Sequence, residues 1–193
     1  MKTVFFDIDS QLDFLYPAGA LYVPGAERIV PAISRLNRYA AQHGITVVST
    51  TDAHAENDPE FGTWPPHCIA GTTGQHKAEA MLLERRLVIP NGPCELALDG
   101  ASQIVVEKQT VDVFAAPNLH RVVEHLKADR YIVYGVVTEI CVLFAARGLL
   151  KTGKPVTVVT DAVETLKAED GVRALESIRA GGGTLARVSE LVG

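Results

Sequence analysis

Cysteine is scarce in this sequence, clustered charge of one sign is missing, and no apolar run is long enough to cross a bilayer. The three cysteines, Cys68, Cys94 and Cys141, give an odd count without disulfide-framework spacing, which argues against a stapled secreted fold and for a reducing cytoplasm. No Lys/Arg run occurs and the net charge is a modest -5, which excludes the electrostatic footprint of a nucleic-acid binder. The longest apolar stretches are strand-sized, so no membrane span is expected. Asp7 and Asp9 interrupt the apolar start, and no secretory leader is expected either. Internal repeats, linkers and low-complexity segments are also missing. A length of 193 residues suits one α/β domain spanning 1–193.

What is present is an alternation of strand and helix patterns. Val4 to Ile8, Thr46 to Thr51, Gln103 to Glu107, Tyr131 to Tyr134 and Val156 to Val159 read as buried strands, with Arg86 to Ile89 a short extended piece. Ala26 to Gln42, Lys77 to Glu84, Asn118 to Lys127, the segment after Thr138, and Ala168 to Ala180 read as helices, and Thr184 to Val188 closes the series. The expected fold is a three-layer α/β/α sandwich around a mainly parallel sheet, Rossmann-like in plan. The stretch from Asp52 to Gly74 has no regular pattern. A loop of that length in a compact domain is usually functional or disordered, and Trp64, His67 and Cys68 argue against disorder.

Polar residues fall where strands end. Asp9, Lys108 and Cys141 would supply a base, a cation and a nucleophile from one edge of one sheet, where ligands bind in such folds. Cys141 is expected in the first turn of a helix, with Thr138 as cap and Glu139 as the partner of the helix dipole; the alternative is a small buried apolar residue. Asp52, His54, Glu60 and His67 share the long loop. Two imidazoles and two carboxylates suit one divalent ion, zinc first and manganese or iron next, against a polar loop that happens to hold two histidines. His76, His120 and His125 are read as surface or helix residues. A third pattern, Phe5-Phe6-Asp7-Ile8-Asp9, is similar to the first motif of haloacid-dehalogenase-type phosphatases, with Asp7 as nucleophile and Asp9 as acid/base. Gln11 and the isolated Asp161 depart from that pattern.

Four separated segments together resemble the isochorismatase-like cysteine hydrolases, in the nicotinamidase/pyrazinamidase branch. They are Asp9-Ser10-Gln11-Leu12-Asp13-Phe14; Asp52-Ala53-His54 with Trp64-Pro65-Pro66-His67-Cys68; Lys108 at its strand end; and Gly135 to Val142. The resemblance implies a Cys141–Lys108–Asp9 triad and the metal ligands Asp52, His54 and His67, with Glu60 where many relatives have a third histidine. It also implies a non-proline cis peptide at Val136–Val137 and an oxyanion site at the N–H groups of Val137 and Cys141. Phe14, Leu21, Trp64, Val136 and Ile140 are the candidate walls of a substrate pocket. The implied reaction is hydrolysis of a linear amide, nicotinamide first, with an N-carbamoyl or ureido substrate as alternative. A catalytically silent binding domain is the remaining alternative on the same fold. Self-assembly into a homo-oligomer through an exposed helix face is expected. Asp7 departs from the family pattern, where an apolar residue is more usual.

Overall fold

The computed structural model describes residues 1–192, and its seven strands lie in one sheet. In chain order the elements are β1 (Thr3–Ile8), α1 (Leu12–Leu15), α2 (Val30–Gln42), β2 (Thr46–Asp52), β3 (Arg86–Ile89), β4 (Gln103–Lys108), α3 (Leu119–Leu126), β5 (Arg130–Gly135), α4 (Leu143–Leu150), β6 (Val156–Val163), α5 (Ala168–Ala180), β7 (Thr184–Ala186) and α6 (Val188–Leu191). Every strand pairing is parallel. Parallel strands need crossovers that cover the faces with helices, so the central strands β1, β2, β4 and β5 are buried on both sides. α2 packs on β1, β2 and β6, whereas α4 packs on β5 and β6 and against α5. Among the described residues no helix is long and apolar enough to cross a membrane.

After β1 the chain winds toward β2, β4 and β3, then returns to place β5 on the other side of β1. The order reverses at β1/β5, and a crevice opens at the carboxyl ends of the strands at such a switch point. Two of the sequence-predicted segments end there: Asp9 follows β1, and the Gly135–Cys141 turn follows β5. Gly135 has φ +119°, and a Cβ on it would lie 2.0 Å from the Ile8 carbonyl oxygen. Only glycine lets the two strand ends close up at this point.

Several boundaries differ from the sequence reading. Lys77 to Glu84 is not a helix; only a 3₁₀ turn at Glu79–Met81 forms. The reason is that Lys77 is drawn into the interior, where its backbone bridges Gln11 and its ammonium reaches Asp7 at 3.2 Å. β6 runs on to Val163, α1 interrupts the loop after Asp9, and β7 stops at Ala186 before α6 begins.

The pair also explains Asp7. Its carboxylate is fully buried and accepts from Ser10 Oγ at 2.5 Å, Asn37 Nδ2 at 3.1 Å and Ser49 Oγ at 3.4 Å, beside Lys77. Tyr134 and Gln103 extend the network through Asn37 and Ser49. With its oxygens so engaged and no exposure, Asp7 cannot serve as a phosphatase nucleophile. Removing one member of a buried pair strands the other charge and costs about 3–5 kcal/mol. Lys77→Met is therefore expected to lower unfolding stability by roughly that amount. The double variant Asp7→Leu/Lys77→Met should be more stable than Lys77→Met alone in chemical denaturation. Equal stabilities for the two would show that the charges are not coupled.

Candidate active site

β2 and β4 are in register so that Asp52 lies opposite Lys108. Both side chains are buried at the carboxyl edge, and the Lys108 ammonium is ion-paired with both Asp52 and Asp9, at 2.9 Å to Asp9 Oδ2. The same ammonium lies 3.9 Å from Cys141 Sγ. The structure thus brings Asp9, Lys108 and Cys141 together, although 132 positions separate the first and last in the chain (141 − 9). Asp9 sits in the left-handed region at φ +45°, an uncommon conformation for a residue other than glycine. Thr50 holds it there: its hydroxyl accepts from the Asp9 N–H at 3.1 Å and donates to Asp9 Oδ1 at 2.6 Å. Asp9 Oδ2 has no aligned hydrogen bond despite its ion pair with Lys108.

The electrostatics are those of a crowded buried cluster. Burial pushes the Cys141 thiol well above its ordinary range, Lys108 opposes this, and the Asp9 and Asp52 carboxylates add to it. Burial raises Asp52 to about 6, with Lys108 pulling down and Asp9 pushing up. Lys108 itself is held well above its ordinary value, where burial is outweighed by the two carboxylates.

Cys141 lies in a π-type turn at Thr138–Val142, directly ahead of α4. Such turns are frequent at functional sites. Thr138 does not cap this turn; its hydroxyl donates to the Glu164 carbonyl oxygen at 2.7 Å. Glu139 faces away from its own helix and accepts from Leu166 N at 2.9 Å and Thr165 Oγ1 at 2.6 Å, tying down the segment before α5. The Val136–Val137 peptide is cis. The Val137 N–H has no backbone acceptor among the described residues and lies on the wall of the cleft.

The long loop is ordered by residues of the first motif. Gln11 Nε2 donates to the Asp52 and Gln75 carbonyls at 2.8 and 2.7 Å, and its Oε1 accepts from Asp52 N at 2.7 Å. Asp13 accepts from Cys68 N at 2.7 Å and Ala20 N at 2.9 Å. Gly74 packs so closely on that carboxylate that a Cβ would lie 2.2 Å from Oδ1. These clamps bring Asp52, His54 and His67 together, with ligand atoms within 4.8 Å of one another. Glu60 falls outside that group but lines the same cleft, at the tip of a 3₁₀ turn. Asp52 Oδ1 lies 3.9 Å from His54 Nε2, and Asp52 Oδ2 lies 3.9 Å from His67 Nε2. These gaps are too long for hydrogen bonds, and an ion with roughly 2.0–2.2 Å bonds to nitrogen and oxygen would span them. Both ring nitrogens of His54 are buried without an aligned partner, a condition that invites an ion. The donor set therefore fits a divalent metal. Phe61 packs on both imidazoles, with ring centroids 5.3 and 5.7 Å away.

Between the thiol and this cluster lies a cleft. Phe14, Leu21, Trp64, Val136 and Ile140 all line it, as the sequence reading proposed. Val23, Val111 and Leu166, which the sequence does not single out, complete the walls together with Val137, expected there for its N–H alone. No lysine or arginine lines the cleft among the described residues; the polar groups facing it are Asp9, Asp52, Glu60, His67 and Cys141. Cys68 is buried within the loop, its thiol pushed far upward by burial, and Cys94 lies outside the cleft.

Known proteins are similar to this chain over most of its length. A nicotinamidase/pyrazinamidase of Mycobacterium tuberculosis is 29% identical over 182 residues, covering 89% of this chain and 91% of that one. A pyrazinamidase of Pyrococcus horikoshii, solved in complex with zinc, superposes with a TM-score of 0.80 at 28% identity, over 97% and 99% of the two chains. An N-carbamoylsarcosine amidase of Thermoplasma acidophilum gives a TM-score of 0.78 at 25% identity, with both chains covered completely. Residues 3–84 and 93–190 match the family described as the isochorismatase domain. With nearly the whole sheet and every segment of the cleft inside that match, the chain belongs to the isochorismatase family.

Proposed function

We propose that this protein is a metal-containing cysteine amidohydrolase that converts nicotinamide and water to nicotinate and ammonia. The observation that carries the reading is the cleft itself: a thiol on one wall, a metal-ligand cluster on another, apolar and aromatic side chains between them, and no lysine or arginine among the described lining residues to bind a carboxylate. A neutral, flat carboxamide suits it. An N-carbamoyl amino acid would bring its own carboxylate against Asp9, Asp52 and Glu60. The kinship with nicotinamidases supports the same choice.

Cys141 is the nucleophile of this reading. Asp9 Oδ2 takes the thiol proton, and the Sγ electron pair forms a bond to the amide carbon. The N–H groups of Val137 and Cys141 receive the oxyanion, and losing one such donor typically costs about 3–4 kcal/mol of barrier. When the C–N bond breaks, Asp9 gives its proton to the departing ammonia and a thioester remains. Water then loses a proton to Asp9, attacks the thioester and expels the sulfur, which recovers that proton. Lys108 stays protonated throughout and keeps two buried carboxylates and the developing thiolate compatible. Asp52, His54 and His67 would hold a divalent ion, zinc before manganese or iron, with Glu60 at its margin; when bound it supplies a Lewis-acidic contact for a ring nitrogen.

Ammonia release tests the assignment. Nicotinamide and pyrazinamide, which both carry a ring nitrogen, should be cleaved. Benzamide should be cleaved at least about tenfold more slowly, the loss expected when binding energy of roughly 1.4 kcal/mol or more no longer orients the amide. Equal rates for benzamide and nicotinamide would remove the orienting role of the metal. Preference for an N-carbamoyl amino acid would move the protein to another branch of the family.

A further inference from the structure

The two histidines of the cluster are held differently. His67 Nδ1 lies 2.7 Å from the Pro65 carbonyl oxygen, which can only accept. The ring proton is therefore on Nδ1, and Nε2 presents its lone pair toward Asp52. His54 has no carbonyl in that place. The group beside its Nδ1 is Asp58 Oδ2 at 3.0 Å, off the line of a hydrogen bond. The other oxygen of the same carboxylate, Oδ1, accepts from Glu60 N at 2.9 Å and caps the Pro59–Gly62 turn. One side chain thus touches both the ligand histidine after β2 and the turn that carries Glu60.

We propose that Asp58 is a positioning residue for the metal site, its carboxylate taking the Nδ1–H of His54 so that Nε2 stays unprotonated and aimed at the ion. This rests on the metal-site reading of Asp52, His54 and His67. An imidazole without a partner can carry its proton on either nitrogen, and the wrong tautomer places an N–H where the ion needs a lone pair. His67 has solved this with a backbone carbonyl; His54 uses Asp58. A small rotation of the ring aligns the bond, so loading the site and orienting His54 are one event. Capping and positioning are also joined: Oδ1 fixes the turn and, through the turn, where Oδ2 points. The Asp58 side chain is only 8% exposed, and the residue borders a polar groove with Gln109 and Thr110 rather than the apolar core.

The test separates the two roles of the side chain. Asparagine keeps an oxygen for the Glu60 N–H and remains a good cap. Its amide NH₂ would face His54 Nδ1 and select the tautomer with the proton on Nε2. Zinc affinity of the metal-stripped protein is read by competition with a chromophoric chelator. The His54 tautomer is read by ¹⁵N NMR of labelled histidine. Asp58→Asn is expected to bind zinc about 10–100-fold more weakly than the unmodified protein. It should also shift the His54 proton to Nε2 and leave the melting temperature of the metal-free protein unchanged. Asp58→Ala should lose at least as much affinity. Wild-type zinc affinity in Asp58→Asn with an unchanged tautomer would overturn the proposal, as would a loss seen in Asp58→Ala alone, which would leave only a cap. Failure of the unmodified protein to bind zinc would overturn the metal-site reading and this proposal with it; binding by the unmodified protein with no effect in Asp58→Asn overturns this proposal alone.

Discussion

Cys141→Ala is expected to lower nicotinamide hydrolysis by roughly 10⁴-fold or more, on the scale of deleting the nucleophile of a catalytic triad. The fold should survive. Cys141 is buried in the turn before α4, and alanine fills most of the same space without adding a polar group. Its removal also leaves Lys108 paired with Asp9 and Asp52, so no charge is stranded. Circular dichroism and melting temperature should therefore match the unmodified protein while ammonia release disappears. Cys68→Ala and Cys94→Ala provide the contrast. Neither thiol lines the cleft, and both variants should keep their activity. Loss of turnover in Cys68→Ala or Cys94→Ala, with activity retained in Cys141→Ala, would break the assignment of the nucleophile.

Removing the metal should have an effect of comparable size on a different observable. Chelation is expected to abolish nicotinamide turnover, and added zinc should restore it. His67→Ala should prevent that restoration, since it deletes one of the three side chains whose ligand atoms converge. Its loss of zinc affinity should exceed the roughly 100-fold upper range for a residue that only supports a ligand. Glu60→Ala should weaken zinc binding less, because Glu60 lies outside the close group and water can take the place of its oxygen. Elemental analysis of dialysed variants reads all of this directly. Full amide hydrolysis by protein with no bound metal would defeat the reading.

The parts of this site that were readable from sequence are those set by strand ends. In a parallel sheet every strand delivers its last residues to one edge, so Asp9, Asp52, Lys108 and the Gly135–Cys141 turn were bound to approach one another once the strands were placed. What could not be read was how the intervening chain is folded back. Lys77 looked like the start of a helix because its partner Asp7 lies 70 positions earlier (77 − 7), and nothing local signals a buried ion pair. Thr138 and Glu139 looked like helix-capping residues because local spacing cannot show that Glu164 and Leu166 compete for them. Thr50 offered a signal that went unused: two positions before Asp52 on β2, it must share the face of the sheet on which Asp52 lies. In the sequence Gln11 and Asp13 read only as parts of one motif with Asp9. Only the structure shows that the motif divides its labour, with Asp9 facing the thiol while Gln11 and Asp13 hold the metal loop in place.

Amide cleavage is expected to pass through a bond between the substrate acyl group and Cys141. Acid quenching during nicotinamide turnover, followed by proteolysis and mass spectrometry, tests it most directly, because acid arrests hydrolysis of a thioester. The expected result is a nicotinoyl group on the peptide that contains Cys141 and on no other peptide. It should be absent when benzoate or nicotinate replaces the amide and absent from Cys141→Ala. An acyl group on Cys68, Asp7 or Asp9, or steady ammonia release from Cys141→Ala, would contradict the account.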